Sequence, residues 1–250
     1  MWSWLKRWLR PPGPPAQPPR PPEPTASIAD YEAWREAGRR PFWLPLTREG
    51  QFADNPSHFG GIPDLAPDET WPGCPHCGVP MALLLQLDLA TLPAEAPGRA
   101  EAGAGLLQLF GCTDCGALSE DGSALARRLP PAERSAAVLS FDAVMLAPRS
   151  IVGWRAGSER PGAGEWDDEQ GLPPAGEDEE CQGGDKLGGW PAWVQYAEYP
   201  FCPVCRQPQR LLFQIASQQG LDYMFSDVGT AYLMYCSQHP DQLSFSWQST

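Results

Sequence analysis

Residues 186–205 read KLGGWPAWVQYAEYPFCPVC, and residues 59–77 read FGGIPDLAPDETWPGCPHC. Both stretches carry the same three features in the same order. Gly188-Gly189 and Gly60-Gly61 are each followed by x-Pro, a glycine-dependent bend. Tryptophan-proline pairs come next, as Trp190-Pro191 and Trp71-Pro72. A Cys-x-x-Cys turn then closes each stretch, as Cys74/Cys77 and Cys202/Cys205. Recurrence of an ordered pattern at this length indicates internal duplication.

Outward from these stretches, the chain reads mainly as strands. Leu83–Leu89 is a short apolar run flanked by Pro80 and Pro93, the pattern of a buried strand. Leu211–Ser217 (LLFQIAS) matches it in the second copy. Leu106–Gly111 and Thr230–Cys236 form a second matched pair, each running into further potential ligands. Val138–Leu146 and Ser150–Arg155 read as two more strands. Leu243–Gln248 alternates apolar and polar residues, as a half-buried strand does. Pro41–Asp54 reads as an extended segment with an aromatic anchor, and residues 118–135 as a surface connection. One helix is expected within 25–40, capped by Ser27 or Asp30.

Cysteine spacing carries the clearest chemistry. Cys74/Cys77 and Cys112/Cys115 are two Cys-x-x-Cys pairs separated by 34 residues. Four thiolates on two tight turns suit tetrahedral zinc. In the second copy Cys202/Cys205 are followed, 30 residues later, by Cys236-Ser-Gln-His239, which gives Cys₃His. Four protein ligands leave no open position for water, so two structural zinc ions are expected. The same pairs also have the spacing of thiol oxidoreductases, but Gly78 and Pro80 oppose the helix that would activate the thiol. His76 reads as a turn residue and His58 as an exposed or capping one. Cys181 stands among acids, which raise a thiol's pKa and make it unreactive.

Composition bounds the rest. A formal net charge of −13 argues against direct nucleic-acid binding and suits a basic protein partner. Residues 1–10, MWSWLKRWLR, would make a short amphipathic stub that could touch a membrane interface weakly. Residues 11–24 are an extended proline-rich spacer, which with a polar segment makes a linker over 11–40. The globular domain is expected over 41–250, with copy one about 59–118 and copy two about 186–250. Between the copies, residues 157–185 carry ten acidic residues and read as a solvated loop. The N-terminus lacks the apolar core of a signal peptide, and no apolar run reaches about 18 residues. A reducing, cytoplasmic setting is expected. No Gly-x-Ser-x-Gly, His-Glu-x-x-His or phosphate-cradling loop is present, so an enzyme is disfavoured.

FGGIPDL…WPGCPHCGVPMALLLQLDL…LLQLFGCTDC and KLGGWPAWVQ…YPFCPVCRQPQRLLFQI…GTAYLMYCSQHPDQLSFSWQ resemble the YwqG-like family of bacteria over about residues 41–250. The same elements resemble the programmed-cell-death-protein-two group of ribosome-maturation chaperones, which escort a basic ribosomal protein. The resemblance implies an α+β, predominantly β fold, internally duplicated, and a protein-binding role. This chain's own residues add two zinc-knuckle-like turns and a proline-rich N-terminal tail, and its acidic balance points to a non-enzymatic module for a basic client, chaperone-like or of the immunity type. Zinc rests on the residues of this chain, since many members of the bacterial family lack the cysteines. Arg206 stands where the turn usually carries glycine. An enzyme with a site between the copies, and a membrane adaptor using residues 1–10, are the rival classes.

Overall fold

The computed structural model describes residues 28–99, 104–114, 123–130, 135–136, 145–162, 165 and 181–250. The stub, the proline spacer, Ser27, Cys115, most of the strand expected at 138–146 and the middle of the acidic segment lie outside the described residues. One α-helix is described, α1 (Ile28–Ala37). Twelve strands follow: β1 (Arg40–Glu49), β2 (His58–Phe59), β3 (Asp64–Leu65), β4 (Ala82–Asp88), β5 (Leu106–Gly111), β6 (Ala124–Leu129), β7 (Ser135–Ala136), β8 (Arg149–Glu159), β9 (Lys186–Gly188), β10 (Arg210–Ala216), β11 (Thr230–Tyr235) and β12 (Leu243–Gln248).

Ten strands form one sheet in the order β12-β11-β10-β9-β1-β8-β2-β4-β5-β6, and every pairing between neighbours is antiparallel. Its two edge strands, β6 and β12, come into contact, so the sheet is nearly closed. Closure removes most of the unpaired edge that would invite aggregation. The remaining two strands, β3 and β7, make a separate small ladder. The main core fills the curl with side chains from both halves, including Phe59, Leu85, Leu109, Phe213 and Leu233. Phe59 meets Phe213 edge-on at 5.8 Å. β4 and β5 are buried along their whole length, which is why they read as continuous apolar runs.

Read from either edge, the sheet meets the same parts. A hairpin pair comes first, then a short strand that enters a double glycine, then one of the two long central strands. A bulge falls between Leu83 and Leu85 in β4, and another between Leu211 and Phe213 in β10. The central strands are exchanged: β1 pairs with β9, and β8 pairs with β2.

Two glutamines hold the short strands in place. Gln86 on β4 accepts from Asp64 N–H at 3.0 Å and donates to Pro56 C=O at 2.9 Å. Gln214 on β10 accepts from Ala192 N–H at 2.8 Å and donates to Gly184 C=O at 2.7 Å. Each amide thus ties the chain on both sides of the double-glycine bend. All four glycines have positive φ, between 56° and 76°. At Gly189 a Cβ would also collide with the Glu159 carboxylate, so glycine is required there.

Several expectations need correction. Residues 124–129 are the edge strand β6 and not a surface connection. Arg127 fits there because its Nε donates to Gln108 at 3.0 Å and its guanidinium pairs with Glu69. The acidic segment is not wholly solvated. Residues 157–159 extend β8, and Glu159 and Asp185 are buried. Glu159 pairs with the fully buried Lys186 at 2.8 Å and accepts from Trp190 N–H and Gln182 N–H. His58 is neither exposed nor a cap but fully buried. Its Nδ1 donates to Gly60 C=O at 2.7 Å, which leaves Nε2 to accept from the Gln51 and Gln86 amides. Burial holds its pKa below the usual imidazole value, so the ring is neutral. Asp30 lies inside the first turn of α1. That helix docks through Arg35 on Pro161 C=O, through a Glu32–Arg160 ion pair, and through Gly38 C=O, which accepts from the Trp190 indole.

Replacing Gln214 by leucine leaves the half-buried Ala192 N–H and Gly184 C=O without that partner. A cost of about 2–4 kcal/mol is expected in urea unfolding, from about 1–3 kcal/mol per stranded group. A loss under 1 kcal/mol would show that the amide is not the tie described above.

Candidate metal centres

The second cluster is built by two turns at one end of the β10–β11 hairpin. In the first turn Cys202 N–H donates to Gln207 C=O at 2.9 Å and Arg206 N–H donates to Cys202 C=O at 2.9 Å. This places Cys202 and Cys205 on one tight loop ahead of β10. Cys236 follows β11 directly, and Gln242 N–H donates to His239 C=O at 2.8 Å, folding His239 back. The Cys202, Cys205 and Cys236 sulfurs and one His239 nitrogen lie within 4.8 Å of one another. Cys205 Sγ is 3.6 Å from Cys236 Sγ. His239 Nδ1 is 3.7 Å from both Cys202 Sγ and Cys236 Sγ. A disulfide needs sulfurs about 2.05 Å apart, so these are free thiols gathered around a common point.

The first cluster repeats the construction. Cys74 N–H donates to Val79 C=O at 2.8 Å, and Gly78 N–H donates to Cys74 C=O at 2.8 Å. Cys112 follows β5 directly, and Cys77 Sγ lies 3.6 Å from Cys112 Sγ. Cys74, Cys77 and Cys112 together could hold a metal ion. Cys115, the fourth ligand expected from the sequence, lies outside the described residues.

The local electrostatics favour a thiolate at Cys202, while Cys205 is pushed up, against a hydrogen bond from the Gln207 backbone, by burial and by the Cys236 and Cys202 thiols. Burial pushes the Cys202 thiol up, but N–H groups of Cys205 and Val204 and the neighbouring thiols outweigh it and bring the pKa down to about 6. Cys181 behaves oppositely. Burial first, and the Glu159 carboxylate second, push its thiol up to about 11. No helix begins at either Cys-x-x-Cys turn; a strand follows each. The dipole that activates a redox thiol is therefore missing from both turns.

The chain belongs to a family described as a domain of unknown function, DUF1963. Its model matches residues 57–247. No curated protein matches the chain. The match begins after α1 and β1, although β1 occupies the middle of the sheet.

Four residues with structural or site roles escaped the sequence reading: Gln86, Gln214, Glu159 and Lys186. The recurring Leu-x-Gln pattern, at residues 84–86 and 212–214, was the signal for the first two. A charge pair 27 positions apart leaves no such pattern. The aromatics before the second Cys-x-x-Cys turn divide: Tyr196 is exposed, while Trp193 packs on Tyr199 and Tyr232 at 5.3 and 4.6 Å.

The two turns differ at one instructive place. Gly78 has φ 75° and Arg206 has φ 61°, both left-handed. Arg206 therefore keeps the turn that glycine would make and bears its strain. Arg206→Gly should raise stability by about 1 kcal/mol, seen as a higher urea midpoint at unchanged slope. Gly78→Arg should lower it by a similar amount.

Proposed function

We propose that this chain is a zinc-stabilised, internally duplicated protein-binding module of YwqG-like type, acting on a basic client in a chaperone-like or immunity-type role. The observation that carries the metal assignment is the Cys202, Cys205, Cys236 and His239 quartet. Tetrahedral zinc with bonds of about 2.3 Å to sulfur sets its sulfurs about 3.8 Å apart. The 3.6 Å between Cys205 and Cys236 sits near that value. Three thiolates and an imidazole form a soft donor set with no position left for water, so the ion would be structural. Cys74, Cys77, Cys112 and Cys115 would hold the second ion. The free thiols suit a reducing compartment such as the cytoplasm.

Duplication is supported by the register. Asp64, Gln86 and Cys74 have counterparts 128 positions later in Ala192, Gln214 and Cys202, with matching hydrogen bonds. The duplicated domain is read as residues 41–250, with copy one about 59–118 and copy two about 186–250. Binding to protein is supported by the second metal turn and the loop before it. Tyr196, Phe201 and Val204 are 63%, 64% and 58% exposed there. Exposed apolar side chains on a rigid turn, on a chain of net charge −13, suit a client with a basic, partly apolar surface. Masking that surface stoichiometrically needs no catalytic residue.

Elemental analysis of the purified chain should find close to two zinc ions. Cys202→Ser should remove one of them and lower the melting temperature sharply. A folded protein without zinc would end the metal assignment. For the client, pull-down from native lysate should recover basic proteins at low salt and lose most of them at high salt. Recovery of nothing, or of salt-indifferent partners alone, would end the client reading.

A further inference from the structure

A cavity of about 470 Å³ opens beside the central pair β1 and β8. Leu44, Pro45 and Thr47 of β1 line one side, and Arg149 and Arg155 of β8 another. The wall opposite is the chain entering β9 and the turn after β10, through Asp185 and Gln219. A volume of this size accommodates a small organic molecule.

The polar groups around the cavity are unbalanced. Asp185 is its one carboxylate, and both oxygens are engaged, with Ala216 N–H at 2.8 Å and Gly220 N–H at 2.6 Å. Gln219 Oε1 accepts from Asp185 N–H at 3.1 Å, which leaves the amide NH₂ as a donor. Among the described residues Arg149 makes one ion pair, a long 3.9 Å contact with the exposed Glu49 that has little strength, and its charge also acts on the Asp185 carboxylate across the cavity. Arg155 makes no ion pair among the described residues. Two guanidiniums and an amide thus face the space with donors to spare.

The strand sets the shape of the ligand. Arg149 and Arg155 are six residues apart on β8, so their Cα atoms are on the order of 18–20 Å apart. The side chains shorten that gap from both ends but do not converge on one atom. One small ion would satisfy one arginine. We propose that this cavity binds a small molecule with two separated oxyanion groups, phosphate or carboxylate, one held by each arginine. Guanidinium matches both chemistries through its planar fork of donors. The site is independent of the metal clusters and of any protein client.

The test is titration calorimetry on the full metal-bearing chain, at ionic strength fixed with sodium chloride. Fructose 1,6-bisphosphate and adipate serve as probes of the two chemistries. Saturable binding of either one is expected at sub-millimolar concentration, and the probe that binds tells phosphate from carboxylate. Arg149→Gln and Arg155→Gln should each weaken it about tenfold or more, the scale of one lost charge-assisted contact. Arg48→Gln, on β1 but stacked on Phe52, should leave it unchanged. Arg155 is exposed, so that variant should fold, and circular dichroism melting checks it. Absence of binding by both probes, or binding that survives both substitutions in the cavity, would overturn the proposal.

Discussion

The fold depends on two side-chain amides doing the work of backbone. β2 and β9 contribute two and three residues to a ten-stranded sheet, yet both sit inside it and not at its edge. Strands so short have few ladder bonds of their own. Gln86 and Gln214 supply the missing ties, each bonding once to the chain before the short strand and once to the chain after it. The position needs one donor and one acceptor on the same buried group. A glutamate there would bury a charge and offer no donor, and a leucine would strand two backbone groups. Only a carboxamide fits without cost.

That arrangement explains why the sheet cannot be cut in two. The long strand ahead of each half pairs with the other half, β1 with β9 and β8 with β2. β1 and β8 also pair with each other along their whole length, with a bulge near Leu46. Removing either half would strip a long strand of one neighbour and expose core shared across the divide, such as the Phe59–Phe213 contact. The two halves of the sheet are therefore one cooperative unit with a single main core.

Legibility of the sequence followed how local each signal was. β5 and β12 have the predicted bounds, β4 and β10 begin and end one residue earlier than expected, and β11 ends one residue earlier, because apolar runs and alternation are local patterns. The gathering of the cysteines into clusters was legible for the same reason: a Cys-x-x-Cys turn is four residues long. β6 was missed because its arginines look solvated from the sequence, and Arg127 is tied only when Glu69 and Gln108 arrive from 58 and 19 positions away. His58 was misplaced because its neutral, buried state depends on Gln51, Gln86 and the bend at Gly60. The Glu159–Lys186 pair was invisible because each partner, taken alone, reads as surface. Opposite charges find each other only after the sheet forms, and together they survive burial that neither would bear singly.

Metal turns stand where the core runs thin. The main core occupies the middle of the curl, while the ends bearing the cysteines have small separate clusters. At the second turn that cluster is Leu211, Tyr232 and Met234, with Trp193 and Tyr199 packed beside it. So little apolar area cannot fix a loop that contains Pro203, a left-handed Arg206 and an exposed Phe201. Four ligands drawn from the loop before β10 and the loop after β11 would cross-link both ends of the hairpin, as burial does in its middle. An ion held there fixes local geometry that hydrophobic contact leaves loose. With such an ion bound, arginine could occupy the glycine position because its strain would be small beside the ligand bonds holding the turn.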